Sequence, residues 1–215
     1  MNQESKQLTI AAHPLLRHKL TRLRRRETKT SEFRALIHEV ALLLGYAALE
    51  NLPLEKKAIN TPVGKGTGWR IAQPEPCFFS ILRSGEAMLQ AFMQLIPSAH
   101  VGHIGTRRNE ETLKPEQYYF KAPAHMENGP CIVLDPMLAT GGTAVEAVDI
   151  LKANGAKDIR FVSIVCAPAG VQRFHQRHPD VPLLTASLDE GLSDDGFIVP
   201  GMGDVGDRYF GTLPE

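Results

Sequence analysis

The amino-acid sequence predicts an α/β protein: a doubly wound, mainly parallel sheet preceded by a helical N-terminal segment and followed by an irregular C-terminal one. Three observations carry this. From about Pro76 onward the chain contains short apolar runs that do not alternate with polar residues, as strands buried on both faces require: CFFSIL (77–82), AHVGHI (99–104), CIVL (131–134), IRFVSIVCA (159–167) and PLLTAS (182–187). Most of these runs are separated by helix-length segments, and strand and helix in alternation imply right-handed crossovers. Upstream of Pro76 the apolar residues recur at helical spacing instead.

With 215 residues, 43% of them hydrophobic, the chain can bury one substantial core. A single domain over 1–215 is expected, divided into a helical segment (1–70), a core sheet (76–187) and a tail (188–215). In chain order, a first helix is predicted over Leu15–Arg25. A long amphipathic one follows within Thr30–Asn51, where Phe33, Leu36, Ile37, Val40, Leu43, Leu44 and Ala47 share a face and Thr30 or Ser31 supplies the cap. The stretch TPVGKGTGW (61–69) reads as a loop. Between Gly105 and Gly129 lies TRRNEETLKPEQYYFKAPAHMEN, polar apart from QYYFK and too long for an ordinary connection, so it is expected to cover a site. From Ser187 the tail has glycines at 191, 196, 201, 203, 206 and 211 and no helical period, which predicts a second irregular cap at the same edge.

Charge excludes some functions. Lysine plus arginine (24) equals aspartate plus glutamate (24), so no global field favours nucleic acid, and the basic run Arg22–Arg26 reads as a solvated or subunit-facing helix end. The start, MNQESKQLTI, lacks the apolar core of a signal peptide, and no run approaches the ~18 apolar residues that span a bilayer; no membrane role and a cytoplasmic location are expected. Cys77, Cys131 and Cys166 lie far apart in apolar runs, which suits reduced thiols in a core. His100 with His103 and His175 with His178 lack the acids or cysteines of a metal site and read as structural or surface residues. Gly201-Met-Gly203-Asp-Val-Gly206 satisfies a dinucleotide pattern but has no strand-to-helix unit around it.

The chemistry concentrates in residues 131–155, CIVLDPMLATGGTAVEAVDILKANG, where a strand ends in an acid and a Thr-Gly-Gly-Thr turn opens a helix. In open parallel sheets ligands bind beyond the carboxyl ends of the strands, and a helix N-terminus there offers free amides to an anion. Ala139, Thr140, Gly141, Gly142 and Thr143 combine glycines that let the backbone approach with hydroxyls that can donate, so they could hold a phosphate monoester without lysine. Asp135 lies too near such a dianion to bind it and would instead accept hydrogen bonds from ribose hydroxyls.

VLDPMLATGGTA resembles the phosphoribosyl-diphosphate (PRPP) signature of type I phosphoribosyltransferases, in the form with proline after the acid seen in uracil phosphoribosyltransferases. GFIVPGMGDVGDRYFGT (196–212) resembles the uracil-binding segment of that family, and HPLLRHKL, ILRSG (81–85), RNEET (108–112) and TAS (185–187) are similar to further family segments. The resemblance implies a type I phosphoribosyltransferase sheet with the tail as a uracil-binding hood, and an enzyme that makes UMP and diphosphate from uracil and PRPP. It implies that Asp135, Pro136, Met137, Leu138, Ala139, Thr140, Gly141, Gly142 and Thr143 hold the 5-phosphate and ribose of PRPP. Arg83 and the loop arginine Arg108 would reach the diphosphate, and Asp204 would face PRPP and its metal. Ile198, Gly203, Asp204 and Val205 match the uracil-recognising segment, which reads the base largely through the backbone. The implied catalytic set is Arg83, Arg108, Asp135 and Asp204, with Mg²⁺ held mainly through PRPP. A homodimer or larger homo-oligomer and a GTP effector are further implications. The physics agrees with these roles, since negative charge building on diphosphate is what guanidinium groups and Mg²⁺ stabilise.

The chain departs from the family's usual Arg-Ala-Gly-Leu-Gly-Met: it reads Arg83-Ser84-Gly85-Glu86-Ala87-Met88. Glu86 would repel diphosphate if it pointed at the site; the simpler expectation is a first-turn acid favoured by the helix dipole, with Ser84 as cap. A competing function is a catalytically weak, nucleotide-sensing regulator on the same fold that binds RNA through the basic run.

Overall fold

A computed structural model describes residues 7–108 and 115–212. Strand β1 (Leu8–Ile10) leads into helices α1 (Pro14–Arg24) and α2 (Thr30–Ala48), and β2 (Leu54–Thr61) and β3 (Gly64–Ile71) form an antiparallel hairpin. The core runs through β4 (Cys77–Leu82), α3 (Glu86–Leu95), β5 (His100–Arg108), β6 (Pro115–Lys121), β7 (Pro130–Leu134), β8 (Met137–Leu138), α4 (Gly142–Ala153), β9 (Asp158–Cys166), α5 (Pro168–Arg177) and β10 (Leu183–Leu188). The tail holds β11 (Gly191–Leu192), β12 (Ile198–Val199) and α6 (Val205–Phe210).

Among the described residues the main sheet has eight strands, in the order β1-β10-β9-β7-β4-β5-β6 with β8 beside β9; all pairings are parallel except β5 with β6. The mainly parallel, doubly wound sheet agrees with the sequence. Successive residues of each strand feed opposite layers. Phe78, Ile132, Leu134, Val162 and Ile164 pack with α1, α2 and α3, while Cys77, Phe79, Cys131, Val133 and Phe161 pack with α4 and α5. This two-sided burial is why the runs read as unbroken apolar stretches. The three cysteines are free and buried, and burial pushes the thiols of Cys131 and Cys166 up to about 12, which keeps them inert.

Several expectations are corrected. The segment 61–69 is not a loop: Thr61 and Gly64 close a hairpin whose strands pair from Leu54↔Ile71 to Thr61↔Gly64. Its glycines conceal the strand, because a two-stranded ribbon standing off the body buries too little to need an apolar face. Residues 1–70 are therefore not purely helical, and β1 adds an edge strand to the main sheet beside β10. The connection after Gly105 is shorter than expected, since β5 continues to Arg108 and β6, containing the QYYFK run, pairs back onto it. Lys29, not Thr30 or Ser31, occupies the N-cap of α2, with no side-chain cap bond. The tail contains the helix α6, too short at six residues to leave a periodic pattern.

Candidate active site

Taken in chain order, the parallel strands β4, β5, β7, β9 and β10 lie side by side as β5-β4-β7-β9-β10. Chain direction across the sheet therefore reverses between β4 and β7, and the crevice at the carboxyl ends of two such strands is where open α/β sheets bind ligands. Arg83 and Ser84 follow the end of β4, and Asp135 follows the end of β7.

Beyond Asp135 the chain turns over β9. Pro136 O accepts from the amides of Ile164 and Val165 at 3.1 Å each, and Leu138 O accepts from Ala167 N at 2.9 Å. Gly141 then adopts φ 77°, and a Cβ there would sit 2.7 Å from Gly170 O, so only glycine fits both the conformation and the approach of α5. Gly141 is the N-cap of α4 and supplies no side-chain cap; the first amide bonded within this turn is Val145 N, to Gly141 O at 3.0 Å. The amides of Gly142, Thr143 and Ala144 thus open a helix without helical partners. They border a shallow cavity of about 80 Å³ lined by Asp135 and residues 137–144. Thr143 and Thr140 are exposed on its rim. The turn thus presents free amides and two exposed hydroxyls, with no lysine among its lining residues.

Asp135 is 6% exposed and accepts from Ser84 Oγ at 2.8 Å. Burial raises its carboxyl to about 7, against the lowering effect of the Ser84 hydroxyl and the Met137 amide. Ser84 is thus not the helix cap that the sequence suggests. Gly85 takes the N-cap position of α3, and its hydrogen atom side faces Leu134 O of β7, which a Cβ would approach to 2.4 Å. The Arg83 loop is therefore pressed onto β7 and bonded to Asp135 across the switch point.

Arg83 is exposed and leans toward the tail: its Nη2 lies 3.8 Å from Asp207 Oδ1 and its guanidinium carbon 5.7 Å from the Phe210 ring centre. Asp204 caps α6, with Oδ1 accepting from Asp207 N at 2.9 Å. Gly203 is exposed at φ 72°, whereas Ile198 and Val205 are buried. Arg108 ends β5 opposite Pro115; residues 109–112 of the RNEET run lie outside the described residues, as does the arginine's side chain. The structure thus gathers Arg83, Asp135 to Thr143 and the tail at one edge of the sheet.

Residues that the sequence reading missed hold the tail there. Arg24 makes a two-pronged contact with Asp189 at 2.5 and 2.6 Å and donates to Gly201 O at 2.7 Å; Gly201 N in turn donates to Asp189 Oδ2 at 3.0 Å. Arg208 donates to Met202 O, Leu23 O and Arg25 O at 2.7 to 2.9 Å and lies 4.3 Å over the Phe33 ring. Arg22 and Arg25 face Glu32 and Glu27. Most of the basic run is therefore occupied by internal carboxylates, and Arg24 is structural rather than solvated. Of the four histidines at 100, 103, 175 and 178, His178 is buried against Val145 O at 3.1 Å, and the His100 ring meets that of His125 edge to face.

A doubly wound, mainly parallel sheet with a buried acid and a helix N-terminus at its switch point is the fold of the type I phosphoribosyltransferases. An adenine phosphoribosyltransferase from Trypanosoma brucei shares that fold at a TM-score of 0.52 with 17% identity, over 81% of this chain and 70% of that one. Closer in shape is the AQ2163 protein of Aquifex aeolicus, at a TM-score of 0.89 and 35% identity over 97% of this chain and 100% of that one. The family described as uracil phosphoribosyltransferase matches residues 10–212. Uracil phosphoribosyltransferases of Streptococcus equi subsp. zooepidemicus and Streptococcus sanguinis are each 50% identical, covering 94% and 95% of this chain and 97% and 98% of theirs. The chain belongs to the uracil phosphoribosyltransferase family.

Proposed function

We propose that this protein is a pyrimidine-salvage transferase that moves the phosphoribosyl group of PRPP onto uracil, forming UMP and diphosphate. The observation that carries the reading is the Ser84–Asp135 bond across the switch point, which sets a ribose-type acceptor between an anion cradle and an arginine loop. In this reading the amides of Gly142 to Ala144, with the Thr140 and Thr143 hydroxyls, hold the 5-phosphate. Asp135 accepts from the ribose hydroxyls. The bond from ribose C1 to diphosphate breaks with its electrons leaving on diphosphate, where Arg83 and Arg108 receive the charge. N1 of uracil supplies the electron pair for the new bond to C1 and gives up its proton to water. Backbone groups at Ile198 and Gly203 to Val205 read the base with fixed donors and acceptors.

Among the described residues no three His, Cys, Asp or Glu side chains gather as a metal cage. A divalent cation here would draw its ligands mainly from PRPP oxygens and water, which is how Mg²⁺ is commonly bound. Asp204, with Oδ1 engaged at the α6 cap, offers Oδ2 as a hard-oxygen ligand for it. Mg²⁺ held this way would supply charge neutralisation on the departing diphosphate.

The finer setting belongs to the same proposal. A homodimer or larger assembly is supported by the β2–β3 hairpin, which presents Val63 at 97% and Trp69 at 63% exposure, apolar area that a second copy would cover. No helix of the described residues is long and apolar enough to cross a membrane; a cytoplasmic setting follows the substrates, and a GTP effector rests on the family resemblance alone. The deciding experiment is a coupled assay for UMP from uracil and PRPP with Mg²⁺, and again with chelator. Turnover that the chelator abolishes is expected. Tight PRPP binding with no UMP at saturating substrates would instead indicate a regulator.

A further inference from the structure

Glu86 stands three residues beyond Arg83, where the family pattern has an apolar residue, in the loop pressed onto β7 by Gly85. It is the first residue of α3, so the helix dipole favours its charge, yet a carboxylate here is also placed to repel a diphosphate received by Arg83. Its rotamer resolves the conflict. The side chain turns back onto the sheet, where the hydroxyl of the fully buried Ser80 donates to Oε1. His103 Nε2 lies 3.2 Å from the same oxygen. Ser80 and His103 are register partners on β4 and β5, so two side chains of adjacent strands converge on one carboxylate oxygen.

We infer that His103 is a positioning residue for the diphosphate step: together with Ser80 it holds the Glu86 carboxylate against the sheet, away from the anion that Arg83 receives. The inference rests on the proposed phosphoribosyl transfer. Ser80 belongs to the strand that feeds the loop, so it moves with the loop. His103 does not, and it anchors the corner between β4 and α3 to β5, the strand that continues to Arg108. One strand thereby carries one of the proposed diphosphate arginines and restrains the acid beside the other. Without His103, Glu86 keeps only a neutral hydroxyl and can swing toward the loop, where its charge opposes diphosphate.

The test is a double-mutant cycle on the full-length protein. Affinity for inorganic diphosphate with Mg²⁺ is measured by calorimetry, and KM for PRPP and uracil by UMP formation. His103→Leu is expected to weaken diphosphate and raise the PRPP KM by roughly tenfold, leaving the uracil KM within about twofold. In a Glu86→Leu background the same His103→Leu change should cost less than about twofold, since there is no carboxylate left to restrain. His103→Gln, which can still donate to Glu86, should stay within about threefold of the parent, and His103→Ala, which cannot, takes the place of the leucine variant in the cycle if that one folds poorly. An equal loss in both backgrounds, or no loss when His103 is replaced by a residue that cannot donate, overturns the inference. If the parent protein makes UMP and the cycle is merely additive, only this inference fails; a parent that makes no UMP fails the proposed function itself.

Discussion

Asp135 and Asp189 are nearly equally buried, at 6% and 7% exposure, and shift in opposite directions. For Asp189 burial acts upward but is outweighed by hydrogen bonds from Arg24 and Ser187, the charge of Arg24 and the Gly201 amide, so the net direction is down. Its stabilising contribution is present above the ordinary carboxylate value and is lost as pH falls from there through its lowered folded-state value. For Asp135 burial wins and the carboxyl rises to about 7. The folded state then holds that proton more tightly than the unfolded chain, so ionising it lowers stability as pH rises from about 4 to about 7. Ligand-free Asp135→Asn should consequently be more stable than the parent at pH 8, by something on the order of 1–4 kcal/mol, while PRPP binding weakens and uracil binding does not. Urea titrations at pH 5 and pH 8 read this directly: the gain should shrink at the lower pH, and a variant less stable than the parent at both would mean that Asp135 is structural.

At the scale of elements, the tail is ordered from outside itself. α6 is short, and β11 with β12 makes a hairpin of two residues per strand, so neither would persist alone. What fixes this segment is the end of α1 and the residue after it: Arg24 holds Asp189 and Gly201, and Arg208 donates to the carbonyls of Leu23 and Arg25. A base read by tail backbone is then only as well positioned as that knot. Asp189→Asn leaves Arg24 short of its counter-charge in a largely buried place, a change that costs about 3–5 kcal/mol in comparable pairs. Because Gly201 N also loses its carboxylate partner, the uracil KM is expected to rise several-fold more than the PRPP KM. Steady-state kinetics below the variant's melting range would show it; equal increases in both would place the knot's influence on the whole fold rather than on the base.

Across the whole molecule, the proposed PRPP site joins, among the described side chains, pieces from three parts of the chain: the Arg83 loop, the Asp135 turn and the tail. A ligand that touches all of them stabilises the native state by mass action, about 2.7 kcal/mol at a hundredfold excess over Kd. For a chain of this length the corresponding rise in Tm is about 5–10 °C. Scanning calorimetry with PRPP and Mg²⁺ should show it, and an unchanged Tm would mean that the three pieces do not share a ligand. The sequence by itself determined the strands β4, β7 and β9, because burial on both faces leaves unbroken apolar runs. It likewise determined α1 and α2 through their periodicity, and the turn that opens α4 after Asp135 through its glycines. Those signals are local, written within a few residues of one another. Only the tertiary structure decided that Ser84 bonds Asp135 rather than capping α3, that Glu86 turns back to Ser80 and His103, and that Arg24 is bound to Asp189, 165 positions away. Each of these choices is made by a partner on another element. A lone serine, glutamate or arginine carries no periodicity and no motif, and what it does depends on which polar group the fold brings within 3 Å.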